Sequence, residues 1–262
     1  MRLAGHDLIV VLGAPVFTYH VEGHGPHIPD GADLVQLTDD AAAAARAPLG
    51  LSIVTDLKLG IRVLLAAPAP ARTAPTVAPR APALPPDRLT DRFLMQELAT
   101  LRPPDSIVVE EAPSSRSAMH AYLPMLEPDS FYTCASGGLG HGLPAAVGVA
   151  LGRPDRRVIA LLGDGSAMYS IQGLWSAAEL ALPVTFVIVN NGGYRALDEF
   201  APHFGLTALP GTLLPHLDFC ALARAQGVEA VRVSRCAELA AALSMAFAAR
   251  GPVLVEVCIE RG

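Results

Sequence analysis

The sequence predicts an α/β fold in which a doubly wound parallel sheet with flanking helices is preceded by a smaller, partial α/β domain. Short apolar runs typical of strands alternate along the chain with longer segments of helical character. In the larger part of the chain the strands are apolar at nearly every position, which indicates parallel strands buried on both faces. The composition agrees, because 52% of the chain is apolar while it holds only eight Phe, five Tyr and one Trp.

The first 66 residues contain a short alternation of strands and helices, which we interpret as part of one domain. The run DLIVVLG predicts a buried strand rather than a signal peptide, because His6 and Asp7 interrupt the apolar segment. A segment of this size is small for an α/β domain that folds by itself. We predict strands at residues 7–13, 33–39 and 51–56, and helices at residues 40–48 and 57–67.

Residues 67–88 predict a linker between two domains. This segment, APAPARTAPTVAPRAPALPPDR, contains seven prolines and few side chains that can pack into a core. Such a composition favours a semi-extended, solvated chain. We therefore divide the protein into a domain of residues 1–66 and a larger domain of residues 89–262.

The larger domain resumes the alternation of strands and helices. Thr90 is suited to cap the first helix, and Gly227 to end a later one. We interpret the segment FYTCASGGLGHG, residues 131–142, as a glycine-rich loop. The predicted strands are residues 106–111, 157–163, 183–191, 228–233 and 252–260, and the predicted helices are residues 88–101, 143–152, 170–180, 218–227 and 236–250.

Two polar turns follow neighbouring apolar strands. Gly163-Asp164-Gly165 ends one strand, and Asn190-Asn191-Gly192-Gly193 ends the next. Ligands of doubly wound sheets bind where the carboxyl ends of the strands open out, so Asp164 and Asn191 are expected to face one crevice. Carboxylate and amide oxygens suit Mg²⁺ or Ca²⁺, and Gly165 lets backbone amides approach a phosphate.

These turns also have a simpler interpretation. Gly, Asp and Asn are the ordinary residues of turns, and a single GDG carries little information. Two such turns separated by one helix, within residues 163–191, favour a metal and phosphate site. A helix expected to begin near Ser170 would add its positive N-terminal end.

Charge and cysteine pattern exclude several other classes. The net charge is −6 and no basic run is present, which argues against binding of nucleic acid. Its four cysteines have no CxxC or zinc-finger spacing and suggest thiols in a reducing cytoplasm. No apolar run reaches the roughly 18–20 residues of a membrane span. We expect a cytoplasmic protein.

The segment GDGSAMYSIQGLWSAAELALPVTFVIVNNGGY, residues 163–194, resembles the diphosphate and metal signature of the thiamine-diphosphate-dependent decarboxylases and synthases. The resemblance implies that Asp164, Asn191 and the carbonyl of Gly193 bind the Mg²⁺ that anchors the cofactor's diphosphate. It also implies cofactor contacts around the same two turns, from Gly163, Asp164, Gly165, Ser166, Asn191 and Tyr194.

Three further segments resemble the benzoylformate decarboxylase branch of this family: AGHDLIVVLGAPVFTYH, CASGGLGHGLPAAVGVALG and GPVLVEV. The likeness covers nearly the whole chain except the linker. It implies that the carbonyl of Gly137 accepts a hydrogen bond from the cofactor's aminopyrimidine and that Leu139 holds the cofactor bent. It further implies that Ser114 contacts the diphosphate.

Some positions depart from the pattern of that branch. Pro113 stands where the family has a hydroxyl, which weakens the predicted diphosphate contact beside Ser114. His141 replaces an aromatic residue and Arg195 replaces a glycine. Both changes alter the expected pocket, so the sequence does not identify the 2-keto acid.

His20 is the candidate catalytic residue. By resemblance it matches a histidine that assists proton transfer in the decarboxylase. Its position in a polar segment with His24 and His27 allows two other interpretations, an ordinary loop histidine or a three-histidine metal site. The segment has no predicted regular structure, so its spacing alone supports neither a ligand geometry nor a catalytic role.

The resemblance implies that the cofactor acts as the electron sink when CO₂ leaves a 2-keto acid. Family members also have a pyrimidine-binding domain with an activating glutamate, and the sequence contains no counterpart of it. Glu110 and Glu111, at the end of a predicted strand, are not substitutes by position. We therefore expect a homo-oligomer that binds thiamine diphosphate and Mg²⁺ but is inactive alone.

Alternatives remain open at this point. Three interpretations are a truncated copy of a full-length decarboxylase, one subunit of a split enzyme completed by a pyrimidine-domain partner chain, and a non-catalytic protein that binds the cofactor or assists assembly. A nucleotide-binding Rossmann-like protein is a fourth interpretation. Its fingerprint needs GxGxxG after the first strand and an acid about 20 residues later, and neither GAPVF nor GGLGHG provides it.

Overall fold

The chain divides into two compact units. The computed structural model describes residues 3–17, 26–68, 83–85, 87–134 and 137–260. The first unit comprises Met1–Val77 and the second Ala78–Gly262. Most of the predicted linker lies outside the described residues.

The first unit contains a parallel sheet of three strands in the order β1-β2-β3. Aspartates cap the two helices described in this unit: the side chain of Asp40 accepts backbone hydrogen bonds at the start of α1, and that of Asp56 accepts one at the start of α2. Its elements are β1 Leu8–Leu12, β2 Asp33–Thr38, α1 Ala41–Ala45, β3 Leu51–Val54 and α2 Leu57–Leu65.

On one face of this small sheet the outer strands β1 and β3 carry exposed apolar residues, although Leu37 of the central strand is buried on that face. Alternate residues of β1 point to opposite faces. Ile9 is buried, whereas Leu8, Val10 and Leu12 are 45–50% exposed. The prediction of a buried strand at DLIVVLG is therefore wrong for one of its two faces. The physical reason is that apolar character predicts which residues need cover, while the described part of this unit leaves that face of β1 largely uncovered.

The second unit is a six-stranded, entirely parallel sheet with helices on both faces. The apolar pattern of its strands predicts this, and the central strands β4, β6, β7 and β9 are buried almost throughout. Its elements are α3 Asp91–Leu101, β4 Ile107–Glu111, α4 Arg116–Tyr122, β5 Phe131–Thr133, α5 Gly142–Gly152, β6 Val158–Gly163, α6 Asp164–Met168, α7 Gly173–Glu179, β7 Val184–Asn190, α8 Arg195–Phe200, α9 Phe219–Ala225, β8 Glu229–Val233, α10 Cys236–Ala248 and β9 Val253–Cys258, with 3₁₀ turns at Pro113–Ser115 and Ala201–Phe204.

The strand order β5-β4-β6-β7-β9-β8 creates a binding crevice. The chain passes from β4 outward to β5 and then crosses back to β6 on the other side of β4. The connections after β4 and β6 therefore leave the sheet in opposite directions, and the carboxyl ends of these two strands lie at a topological switch point. The register pairs Glu111 with Leu162 and Gly163 with Val189, which brings the ends of β4, β6 and β7 to one edge.

Helix caps follow the sequence where a side chain determines them. The Thr90 hydroxyl accepts a hydrogen bond from the Phe93 N–H at 3.2 Å, which confirms the predicted cap of α3. Gly227 follows α9 with a φ of 80°, in the left-handed region expected of a helix stop. Among the described residues no helix has both the length and the apolar character needed to cross a membrane.

The structure corrects two local predictions. Residues 131–142 are not entirely loop, because Phe131–Thr133 forms the edge strand β5. Three residues are too few to show a period, so only pairing with β4 reveals the strand. A helix also begins at Asp164 rather than near Ser170, because the chain turns from β6 into α6 without an intervening loop, and α7 begins separately at Gly173.

Candidate functional site

The two polar turns meet at the carboxyl edge of the larger sheet. β6 ends at Gly163, and Asp164 is the first residue of α6. β7 is the neighbouring strand and ends at Asn190. Because both strands are parallel and in register here, the GDG turn and the NNGG turn face each other. The structure thus brings together the residues that the sequence placed in one crevice.

The carboxylate of Asp164 joins the two turns. Its Oδ1 accepts a hydrogen bond from the N–H of Gly165, and its Oδ2 accepts one from the N–H of Gly193, each at 2.8 Å. The side chain is 2% exposed. Burial raises the pKa of this carboxyl above its ordinary value, although backbone N–H groups of Gly165 and residues 191–193 act in the opposite direction. Each oxygen still has a lone pair for a further partner.

Asn191 supplies a buried oxygen for which the described residues offer no partner. The residue is buried, and within the described part of the chain its Oδ1 accepts no hydrogen bond. A buried polar atom in this state is rare and calls for an explanation such as an ion. The carbonyl of Gly193 accepts a hydrogen bond from the N–H of Arg195 at 3.1 Å. A carbonyl oxygen has two lone pairs, so this contact leaves one available.

A second segment fixes the NNGG turn from outside. Gly193 pairs with Leu213 in an antiparallel bridge. The N–H of Tyr194 donates to the carbonyl of Thr212 at 2.8 Å, and the N–H of Leu214 donates to the carbonyl of Gly192 at 2.9 Å. These bonds hold the backbone of the turn, so the position of Asn191 does not depend on β7 alone.

Tyr194 packs directly against the GDG turn. A Cβ atom added at Gly165 would lie 2.5 Å from Cε1 of Tyr194, so only glycine fits there while the ring keeps its position. Burial raises the pKa of the Tyr194 hydroxyl above its usual value. Ser166, in the same turn of α6, is buried. Gly165 therefore has a packing role besides the close approach to phosphate that its sequence context predicts.

The glycine-rich loop before α5 is held by Glu111. The two oxygens of this buried carboxylate accept hydrogen bonds from Gly140 N–H at 2.6 Å and from Gly142 N–H. Gly137 and Leu139 lie in the exposed part of the loop, and Leu139 is 37% exposed. Sequence reasoning placed Glu111 at a strand end but missed this contact. The available signal was an acidic residue at the end of a buried strand, followed later by consecutive glycines.

Ser114 lies in the 3₁₀ turn after β4, beside the start of α8. Its Oγ accepts a hydrogen bond from the N–H of Ala196 at 3.1 Å, and its carbonyl accepts one from the Arg195 guanidinium at 2.7 Å. Arg195 also forms an ion pair with Asp91 at 2.8 Å. Arg195 therefore has protein partners on two other elements. The Ser114 hydroxyl retains its proton as a donor.

The remaining candidates divide between the crevice and the part of the chain that is not described. A Cβ at Gly163 would come within 3.9 Å of Ala112 Cα, so the end of β6 lies against the turn that follows β4. His20 and His24 lie outside the described residues. The catalytic role of His20 and the three-histidine alternative therefore stay predictions from the sequence.

Comparison with known proteins gives a consistent result. Residues 113–257 match the family described as thiamine pyrophosphate enzyme, C-terminal TPP binding domain. The chain is similar to benzoylformate decarboxylase of Pseudomonas aeruginosa, with 47% identity over 258 residues, which cover 97% of this chain and 49% of that protein.

Solved structures agree in fold. The thiamine diphosphate-dependent 4-hydroxybenzoylformate decarboxylase of Rhodococcus jostii matches with a TM-score of 0.94 and 39% identity, over 100% of this chain and 50% of that one. Benzoylformate decarboxylase of Polynucleobacter necessarius matches with a TM-score of 0.93 and 36% identity, over 99% and 50%. The chain thus spans about half the length of these relatives.

Proposed function

Because this chain belongs to the thiamine pyrophosphate enzyme family and contains its C-terminal cofactor-binding domain, we propose that it holds thiamine diphosphate through a Mg²⁺ ion bound by Asp164, Asn191 and Gly193. The ligands would be a carboxylate oxygen, the side-chain Oδ1 of Asn191 and a backbone carbonyl. Mg²⁺ prefers such hard oxygen donors and keeps positions for water and substrate phosphates.

The observation that carries this proposal is the unpaired Oδ1 of Asn191. Burying an amide oxygen without a partner costs free energy, and an ion next to the Asp164 carboxylate would supply that partner. A cation would also favour the ionised form of Asp164, which burial by itself disfavours. One ion would therefore give Asn191 Oδ1 a partner and offset the cost of burying the charged form of Asp164.

The other predicted contacts complete the cofactor site. Backbone amides near Gly165 and the hydroxyl groups of Ser166 and Ser114 would bind the diphosphate. The Gly137 carbonyl would accept a hydrogen bond from the aminopyrimidine, while Leu139 would hold the cofactor bent. Gly163 and Tyr194 would shape the crevice around the diphosphate, and His20 would transfer a proton.

The reaction that we propose for the complete site is decarboxylation of a 2-keto acid. Thiamine diphosphate, when bound, supplies the electron sink: it accepts the electron pair that remains when the carbon–carbon bond to the carboxylate breaks and CO₂ leaves. The residues of this chain bind the ion and orient the cofactor. The chain alone is expected to be inactive. It matches about half the length of its relatives, and we place the pyrimidine-binding domain with its activating glutamate in the half that has no match here.

The exposed apolar residues on the outer strands of the first unit support a role for further polypeptide. Leu8, Val10 and Leu12 of β1 are exposed, and so are Leu51 and Ile53 of β3. Parallel sheets are normally covered on both faces. We propose that this face is covered either by a pyrimidine-domain partner chain, as in a split enzyme, or by a second copy in a homo-oligomer.

The test is calorimetry of the purified chain with thiamine diphosphate. We expect weak binding that requires Mg²⁺ and disappears with EDTA, and a higher melting temperature only when both are present. NAD serves as the control ligand and should have no effect. Equal binding of thiamine diphosphate with and without EDTA would contradict the metal site. Decarboxylation of benzoylformate or pyruvate by the rigorously purified chain would contradict the proposed inactivity.

A further inference from the structure

Glu256 is a buried charge that the proposed cofactor site does not use. It lies in β9, within the motif GPVLVEV, and is 1% exposed. Its neighbours along the strand, Val255 and Val257, are fully buried and apolar. A carboxylate at such a position is costly unless it is paired and hydrogen-bonded. Its partners therefore indicate what it does.

Both oxygens of Glu256 are occupied by specific donors. Oε1 accepts a hydrogen bond from Asn190 Nδ2 at 2.7 Å, and Oε2 accepts one from Arg232 Nε at 2.9 Å. Arg232 also forms an ion pair with Asp218 at 2.9 Å. The carboxylate thus connects a partly exposed cation at one edge of the sheet to the last residue of β7.

The cluster around Glu256 is better explained without a second metal ion. Asp218, Cys220 and Glu256 have potential ligand atoms within 4.8 Å of one another. Arg232, however, pairs with both carboxylates. A cation there would have to displace a guanidinium that already neutralises them. The cluster is better explained as an ion-paired network.

The network reaches the proposed ion through Asn190. The Oδ1 atom of Asn190 accepts a hydrogen bond from the N–H of Gly192 at 3.0 Å. The next N–H along the chain, that of Gly193, donates to Asp164. Asn191, with its unpaired Oδ1, lies between Asn190 and Gly192, the two residues that this hydrogen bond joins. Glu256 and the NNGG turn are therefore joined by one side chain.

The charge on Glu256 determines which way the Asn190 amide points. A carboxylate only accepts hydrogen bonds, so it requires the NH₂ group of Asn190 on its side. The oxygen of Asn190 must then face the turn, where Gly192 offers a donor. A neutral amide at position 256 would remove this constraint, because its own NH₂ would oppose either Asn190 or Arg232.

We propose that Glu256 is a positioning residue for the ion: acting through Asn190, it fixes the NNGG turn so that Asn191 Oδ1 and Asp164 face the same point. This inference rests on the proposed function of the crevice. It assigns to Glu256 a role outside the ligand set. Partners of this kind affect metal affinity by about 10- to 100-fold when they are changed.

The test compares Glu256→Gln, Asn190→Asp and the double variant that carries both changes. Glu256→Gln sets two donors against each other, and Asn190→Asp sets two carboxylates against each other. In the double variant, the new amide at position 256 would donate to the new carboxylate at position 190 and accept from Arg232. That carboxylate would still accept from the N–H of Gly192. The reversed pair would satisfy every group.

The first measurement is the affinity of the folded variants for Mn²⁺ in the presence of thiamine diphosphate, by electron paramagnetic resonance. We expect each single change to weaken Mn²⁺ binding about 10- to 100-fold and the double variant to return to within about threefold of the original. Glu238→Gln, which alters an exposed ion pair with Arg235, is the control and should leave affinity unchanged. Lower melting temperatures with unchanged Mn²⁺ affinity would show a merely structural role and overturn the proposal.

The second measurement separates this inference from the proposed function. Hydrogen exchange of the Gly192 N–H is followed in the chain without ligands. It should be faster in Glu256→Gln and slow again in the double variant. If the original chain binds no Mn²⁺, the proposed function fails, while unchanged exchange of Gly192 in Glu256→Gln overturns the positioning role itself. If Asn190→Asp does not fold, Glu256→Gln and the double variant still provide the comparison.

Discussion

The carboxylate of Asp164 accepts a hydrogen bond from the backbone N–H of Gly193, 29 positions later in the chain, at 2.8 Å. This single contact ties the turn after β6 to the turn after β7. It places a buried carboxylate against the backbone N–H groups of residues 191–193. The geometry of the crevice therefore depends on the same residue that is proposed to bind the ion.

Replacing Asp164 should remove the Mg²⁺-dependent part of cofactor binding. Asp164→Ala deletes one of the proposed ligands, and the heat of binding of thiamine diphosphate in the presence of Mg²⁺ should fall to the level seen with EDTA. Asp155→Ala is the matched control, because Asp155 is an exposed acid paired with Arg153 at the surface. Unchanged affinity in folded Asp164→Ala would mean that the metal site lies elsewhere.

Adding one methyl group at Gly165 should destabilise the crevice. The new Cβ of Gly165→Ala would lie 2.5 Å from Cε1 of Tyr194, so the ring has to move. Overpacking of this kind costs about 1–3 kcal/mol of the free energy of unfolding, which urea denaturation measures. Cofactor binding should weaken as well.

Gly148→Ala is the matched control for that substitution. Gly148 lies within α5, and an added Cβ there would have no heavy atom within 4 Å. In an exposed helix interior, alanine is favoured over glycine by roughly 0.5–1 kcal/mol. The two alanine variants should thus shift stability in opposite directions. Equal shifts would show that the contact with Tyr194 is not the cause.

Glu111 should stabilise the glycine-rich loop. Glu111→Ala removes the acceptor of the Gly140 and Gly142 N–H groups and leaves a partly buried and a buried donor without this partner. We expect a loss of about 1–3 kcal/mol, with faster hydrogen exchange of these two amides. Glu111→Gln keeps one acceptor oxygen and should have a smaller effect. If both variants exchange at the original rate, another group holds the loop.

The open face of β1 should promote self-association of the chain. Exposed apolar patches of this kind favour contacts between molecules. Val10→Lys places a charge on that face and should shift sedimentation velocity profiles towards the monomer. Ile9→Lys, on the buried face of the same strand, should instead unfold the first unit. A monomeric original chain would contradict the prediction.

The sequence was most informative where the pattern is local and repeated. Continuous apolar runs predicted the parallel strands of the larger unit, because strands buried on both faces need apolar residues at every position. Thr90 caps the start of α3 through its hydroxyl, and Gly227 follows the end of α9 with a positive φ angle, so one residue type is enough to predict each of these helix ends. The two polar turns, Gly163–Gly165 and Asn190–Gly193, indicated one crevice because parallel strands end at the same edge.

Tertiary structure decided what depends on contacts between distant residues. The edge strand at Phe131–Thr133 is too short to show a period and exists through its pairing with β4. At β1 the sequence predicted a buried strand, but Leu8, Val10 and Leu12 are exposed. This difference also depends on tertiary contacts, since apolar residues become buried only when another element covers them.

By itself, then, the sequence determined the fold class, the family resemblance and the residue types at the ends of β6 and β7. Only the folded chain joined Asp164 to Gly193, Glu111 to Gly140, and Glu256 to Asn190. A carboxylate carries no mark of its partner in the sequence. Its hydrogen bonds depend on which backbone amides and side chains the sheet order brings within about 3 Å, and that order was settled by packing across the whole unit.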